Sequence, residues 1–165
     1  YGGFYMDTDV EVLKSFNPLL EAQCILGMEE KEYVATSFMA FEKGHPLVKE
    51  FLNLYEHLSF LDEKGKIIAG TNVAKLTKML KEKGFVQENH YQKLENGIQI
   101  YPKEFFSPYD YINCHYNITE NSYCVHHFAV SWMSKKEQVK KGIKKRIVKI
   151  LGPEKMNGIR EKLKR

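Results

Sequence analysis

At 165 residues, with a composition that is 43% hydrophobic and 13% aromatic, the chain has the size of one domain with its own core. No stretch approaches the ~20 consecutive apolar residues of a membrane span, no signal peptide is visible, and three cysteines without Cys-x-x-Cys spacing exclude a disulfide framework and a thiolate zinc site, so a reducing cytoplasm is the simpler setting. The net charge of +4 is unevenly placed: residues 133–165 carry 13 Lys or Arg against 3 Glu, whereas residues 1–132 carry 12 against 18 acidic residues, and the basic tail is therefore read apart from the rest.

Phe4, Tyr5 and Met6 read as a buried strand that runs into Asp7-Thr8-Asp9. Val10, Val12 and Leu13 continue as a second short strand until Asn17-Pro18 turns the chain. Cys24 to Met28 is a short apolar strand, and Tyr33 to Phe41 is a longer extended stretch ending at Gly44-His45-Pro46. Pro46 suits the first turn of a helix, after which Leu47, Val48, Phe51, Leu52, Tyr55 and Leu58 recur at helical spacing and read as core packing. Beyond a turn at Gly65, Thr71 or Asn72 caps a helix with Val73, Leu76, Met79 and Leu80 on its apolar face and Gly84 at its close. Ile98, Ile100 and Tyr101 form a strand leaving a hairpin at Asn96-Gly97. Phe105, Phe106, Tyr109 and Tyr111 make an aromatic loop, read mainly as packing, with stacking on a sugar face as the functional option. Tyr123 to Phe128 is a further strand with His126 and His127 at its end. Strands mixed with helices indicate an α/β fold.

The chemistry is concentrated at Asp7-Thr8-Asp9. In an extended chain residues i and i+2 project to one face, so Asp7 and Asp9 can address a single hard cation together with its phosphate or ribose ligands. Such a cation neutralises the charge that grows on a nucleotide diphosphate as a sugar departs, which points to sugar-nucleotide transfer. Gly2 and Gly3, lacking Cβ, allow a ligand to approach the backbone closely. The adjacent histidines face opposite ways on a strand, so only one of His126 and His127 can join the carboxylates. Ser131 and the Trp132 indole N–H are donors suited to phosphate oxygens, with anchoring of the C-terminal segment as the other role open to Trp132.

The string from Tyr1-Gly2-Gly3-Phe4 through Asp7-Thr8-Asp9 to Leu13-Lys14 resembles the signature of glycosyltransferase family 32, the sugar-binding Asp-x-Asp group, and within it the bacterial capsular polysaccharide branch. The likeness continues through Phe41-Glu42-Lys43-Gly44-His45-Pro46, through Ile100-Tyr101-Pro102-Lys103-Glu104-Phe105-Phe106-Ser107-Pro108, and through Val125-His126-His127-Phe128-Ala129-Val130-Ser131-Trp132. It implies a GT-A-type nucleotide-diphospho-sugar transferase fold, a mixed sheet flanked by helices. Residues 1–132 are then the C-terminal part of the catalytic domain, following a nucleotide-binding portion with an Asp-x-x-Arg helix, and residues 133–165 a basic amphipathic helical tail; a chain truncated in this way is expected to be inactive by itself.

The resemblance further implies transfer of a hexose from a UDP- or GDP-linked donor to a glycan or lipid-linked oligosaccharide, with retention at the anomeric carbon, in capsular or other surface polysaccharide synthesis. Asp7 and Asp9 are the expected catalytic pair. Because the third metal ligand in related enzymes is a His followed by an aromatic residue, His127-Phe128 is the expected match, with His126 as the alternative. One imidazole beside carboxylates favours Mn²⁺ over Mg²⁺. Gly2, Gly3, Thr8, Asn72, Ser131 and Trp132 complete the expected donor site, Asn72 lying where relatives approach the transferred sugar.

In the tail, Ser134-Lys135-Lys136-Glu137 is a capping box that opens a helix bearing Val139, Ile143, Ile147, Ile150 and Leu151, stopped at Gly152-Pro153. A second amphipathic stretch carries Met156, Ile159 and Leu163. A basic face beside an apolar one suits an anionic membrane surface, placing the protein in the cytoplasm and peripherally on the inner face of a bacterial membrane; packing on the domain is the structural alternative. No nucleic-acid motif is present. Two other functions are weighed: a non-catalytic carbohydrate-binding module using the aromatics of residues 101–116, and a metal-dependent phosphoesterase, for which a further Asp/His/Asn cluster is lacking.

Overall fold

The computed structural model of the chain describes residues 1–30, 32–66, 70–111, 113–129, 135–152 and 155. Ser131, Trp132, the capping-box Ser134 and the stretch holding Met156, Ile159 and Leu163 lie outside the described residues. In chain order the elements are β1 (Gly3–Met6), β2 (Val10–Val12), β3 (Cys24–Glu30), β4 (Tyr33–Phe41), α1 (Pro46–Asn53), α2 (Asn72–Glu82), β5 (Gln92–Lys93), β6 (Ile98–Tyr101), α3 (Lys103–Phe106), β7 (Tyr109–Asp110), β8 (His115–Tyr116), β9 (Cys124–His126) and α4 (Lys135–Leu151). A mixed five-stranded sheet has the order β1-β4-β3-β6-β5, with β3 and β6 parallel and the other pairs antiparallel. β2 pairs antiparallel with β9, and β7 with β8, as two small ribbons.

The apolar run of β3 is buried on both faces, as expected for a strand inside a covered sheet. Cys24, Leu26 and Met28 enter one cluster with Leu47, Leu76, Leu80, Ile98 and Ile100, roofed by α1 and α2. Ile25 enters a second cluster with Phe38, Phe106 and Cys124, roofed by α3 and β9. Gly27 allows α3 to sit so close: a Cβ there would meet Phe106 Cδ2 at 2.7 Å. Thr71 caps α2 by accepting the Ala74 N–H at 3.2 Å, and Thr77 Oγ1 accepts the Val34 N–H at 2.9 Å, tying the helix to β4. The hairpin at Asn96-Gly97 has positive φ at both residues (57° and 68°), the left-handed region that Asn and Gly adopt more readily than other residues.

Two sequence expectations change. β1 is an edge strand with alternating exposure rather than a buried one, because only β4 pairs with it among the described residues. α1 stops at Asn53, and although Leu47 is buried, Leu52 and Leu58 stand 64% and 48% exposed, so its apolar spacing is only partly spent on the core. The apolar stripe of α4 is likewise outward: Val139, Ile143, Ile147 and Ile150 are exposed, and Val148 is buried. Among the described residues no helix is long and apolar enough to cross a membrane.

Candidate functional site

Asp7, Thr8 and Asp9 sit on a tight turn between β1 and β2. The Val10 N–H donates to the Asp7 carbonyl at 3.0 Å and closes it, while the Asp7 N–H donates to the Ser37 carbonyl at 2.9 Å and anchors it to β4. The carboxylates therefore converge because the chain reverses between two strands, and not through the two-residue alternation of an extended segment.

β9 supplies the third group. Its pairing with β2 sets His126 opposite Val10, one residue from Asp9, and puts His126 Nε2 3.3 Å from Asp9 Oδ1. Donor atoms of Asp7, Asp9 and His126 all lie within 4.8 Å of one another. Asp9 is held by the Ala129 N–H, which donates to Oδ2 at 2.7 Å, and Asp7 by the Tyr5 hydroxyl, which donates to Oδ1 at 2.7 Å. That hydrogen bond, then partial burial and the charge of Asp7, raise the Tyr5 phenol pKa above its ordinary value.

The imidazole is fixed by packing. Its ring centroid lies 4.0 Å from that of Phe128, which in turn packs on Tyr109 and Tyr111. Phe128 adopts φ 51°, a left-handed conformation unusual for a bulky residue, held by this cluster of rings. A cleft of about 770 Å³ opens over Asp7, Asp9 and His126, with Glu29, Thr36, Ser37 and Val73 on its other walls. The buried Ser37 Oγ has no hydrogen-bond partner among the described residues.

The set fits a hard or borderline divalent cation. Bonds of ~2.1 Å place neighbouring ligands of one ion about 3 Å apart, close to the Asp9–His126 separation, and two carboxylates with one imidazole suit Mn²⁺ or Mg²⁺.

Several predicted residues fall elsewhere. His127, the histidine expected to ligate, points away: Nε2 is 2.9 Å from Glu11 Oε2 and Nδ1 is 2.9 Å from the Tyr116 hydroxyl. The two histidines do face opposite ways, and the turn presents its carboxylates to the His126 side. Gly2 and Gly3 do not line this cleft; they border a separate one at the far end of β1 with Phe41 and His45. A Cβ on Gly2 would meet Lys43 N at 2.6 Å, so it is the protein's own backbone that comes close there. Asn72 Oδ1 accepts the Tyr55 hydroxyl at 2.8 Å and is not among the cleft residues, where its neighbour Val73 is. Thr8 lines the cleft and is exposed. Phe106 and Tyr109, from the aromatic loop, are buried and serve packing. Sequence reasoning missed Glu29 and Ser37, whose residue types carry no signal within their strands, and the Ala129 N–H, a backbone group available at any residue except proline.

Residues 1–26 match the family model described as the glycosyltransferase sugar-binding region containing the DXD motif. The chain is 31% identical over 113 residues to lactosylceramide 4-alpha-galactosyltransferase of Mus musculus, a match covering 68% of this chain and 30% of that protein. It is also 31% identical over 111 residues to an uncharacterized protein of Arabidopsis thaliana, covering 66% of this chain and 16% of that protein. The chain thus spans under a third of the length of the curated relatives it matches. No solved structure matches it.

Proposed function

We propose, taking the sugar-binding-region match of residues 1–26 as premise, that the chain is part of a metal-dependent glycosyltransferase that moves a hexose from a nucleotide-diphosphate sugar to a glycan hydroxyl. The observation that carries the reading is the Asp7-Thr8-Asp9 turn, inside the matched segment, meeting His126 at the mouth of a cleft. Asp7, Asp9 and His126 would hold Mn²⁺ or Mg²⁺, which when bound supplies charge neutralisation at the diphosphate. Asp9 is oriented by the Ala129 N–H and Asp7 by Tyr5, so both carboxylates are set before ligand arrives, which favours catalysis by positioning and electrostatics. Thr8, exposed in the cleft, offers a hydroxyl to the donor, and Ser131 and Trp132 belong to the same proposed site.

The fold class is GT-A type, with residues 1–132 in the catalytic domain and 133–165 as a tail. The transfer is retaining and front-face: the bond from the anomeric carbon to the diphosphate breaks, the acceptor oxygen bonds to that carbon on the same face, and its proton passes to the departing phosphate oxygen. The murine relative's name specifies an α-linked galactosyl transfer to lactosylceramide, which supports a hexose donor and a lipid-linked acceptor; the donor nucleotide in this reading is UDP or GDP. Capsular or other surface polysaccharide synthesis is the setting. The exposed Val139, Ile143, Ile147 and Ile150 on a Lys-rich α4 support peripheral attachment to the cytoplasmic face of an anionic membrane.

Titration calorimetry of UDP- and GDP-sugars with Mn²⁺ tests the reading. Donor binding that needs Mn²⁺ and disappears in Asp9→Ala is expected. Sugar binding that survives without metal and in Asp9→Ala would transfer the case to a carbohydrate-binding module. Flotation with phosphatidylglycerol vesicles, lost when Ile143 and Ile147 become Asp, is expected for α4; equal recovery with neutral vesicles would count against the membrane reading.

A further inference from the structure

β3 sends Ile25, Gly27 and Glu29 to one face by its two-residue period. Ile25 is in the aromatic cluster and Gly27 lies under Phe106, so Glu29 continues the face that β9 covers and emerges in the cleft beneath His126. The β3–β4 register shifts on either side of Met28, irregularities of the kind that re-aim side chains beside functional sites. The result is a carboxylate only 14% exposed, with Oε1 3.7 Å from His126 Nδ1.

His126 is itself only 9% exposed, and its Nδ1 has no hydrogen-bond partner among the described residues. The imidazole therefore stands between two carboxylates, with Nε2 3.3 Å from Asp9 and Nδ1 facing Glu29. A neutral imidazole that gives its Nε2 lone pair to a cation must carry its proton on Nδ1, and that buried N–H then requires an acceptor. Glu29 is the carboxylate in position, and an approach of about 1 Å brings the pair to hydrogen-bond length. Glu29 is not one of the three groups whose donor atoms cluster within 4.8 Å, so its place is behind the histidine and not beside the ion.

We propose that Glu29 is a positioning residue that accepts the His126 Nδ1 proton, fixing the tautomer and plane of the imidazole so that Nε2 is presented to a divalent cation shared with Asp7 and Asp9. This inference rests on the metal site proposed above. The acceptor raises the basicity of the ligating nitrogen, and outer partners of this kind are typically worth about 10- to 100-fold in metal affinity.

Calorimetric Mn²⁺ titration of the chain and of Glu29→Ala, Glu29→Gln, His126→Ala, Asp9→Ala and Glu29→Ala/His126→Ala tests it, with circular dichroism as the check on folding. Glu29→Ala is expected to weaken Mn²⁺ about 10- to 100-fold. Glu29→Gln keeps an acceptor oxygen and the shape of the side chain, so its affinity falls between wild type and Glu29→Ala; it carries the test if the alanine variant does not fold. The double variant is expected to bind no more weakly than His126→Ala, because Glu29 acts through the ring. Wild-type affinity in both Glu29 variants, or an additive loss in the double variant, overturns the role given to Glu29. Those outcomes are separable from failure of the metal site, in which Asp9→Ala binds Mn²⁺ like the wild type or the wild type binds none.

Discussion

Replacing Gly27 with alanine tests the packing that places the site. An ideal Cβ at Gly27 lies 2.7 Å from Phe106 Cδ2, 3.3 Å from its Cβ and 3.4 Å from its Cγ, whereas carbon atoms pack at about 3.5–4.0 Å. The ring must retreat by about 1 Å, and it has nowhere to go. Phe106 is 1% exposed, stacked on Phe38 at 4.1 Å between centroids and edge-on to Tyr101 at 5.6 Å. Overpacking of this kind costs about 1–3 kcal/mol, and the upper half of that range is expected because aromatic rings hold Phe106 on several sides. The displacement also reaches the site, since the Phe106 carbonyl accepts from the Cys124 thiol at 3.4 Å and Cys124 opens the strand that ends in His126. Urea unfolding followed by tryptophan fluorescence and circular dichroism measures the loss, and Gly27→Ala/Phe106→Leu should recover part of it relative to the sum of the single changes. A Gly27→Ala midpoint within about 0.5 kcal/mol of wild type, the scatter of neutral surface changes, would refute the claim that this glycine is required by contact with α3.

Other perturbations separate the parts of the site. His126→Ala should weaken Mn²⁺ by more than about 100-fold while His127→Ala changes it less than about threefold, because an ion ligand matters more than the outer-shell partners for which 10- to 100-fold is typical; equal losses by calorimetry would contradict the assignment. Burial pushes the Cys24 and Cys124 thiols up to about 12 from 9.0, so the folded state binds more protons than the unfolded one in alkali. Their contribution is complete below pH ~9 and falls away between pH ~9 and ~12 at about 1.4 kcal/mol per thiol per pH unit, a slope that Cys24→Ala/Cys124→Ala should flatten in urea midpoints taken across that range. Both thiols should also resist a water-soluble disulfide reagent until the chain unfolds, leaving the half-buried Cys114 to react first. Asp7→Asn should bring the raised Tyr5 phenol back toward 10.0, read by carbon NMR of labelled tyrosine, since its largest cause is the hydrogen bond to Asp7; an unmoved titration would mean that burial alone raises it.

The local grammar of the chain determined a good deal of the fold. The unbroken apolar run at Cys24 to Met28, the extended stretch Tyr33–Phe41, the Thr71-capped helix with Leu76, Met79 and Leu80 inward, and the Asn96-Gly97 hairpin follow from signals within a few residues of one another. Asp7 and Asp9 were legible for the same reason, since two carboxylates one residue apart need only local geometry to act together. What reaches across the chain was decided by the tertiary structure alone. The alternation of His126 and His127 is local, but which of them meets the carboxylates depends on the β2–β9 register that sets Val10 opposite His126. Glu29 reads as one more acid before a turn until the sheet carries it under β9. A strand's sequence encodes its period but not the partner or the face on which that period will be spent, so a site assembled from three strand ends appears only when the strands are paired.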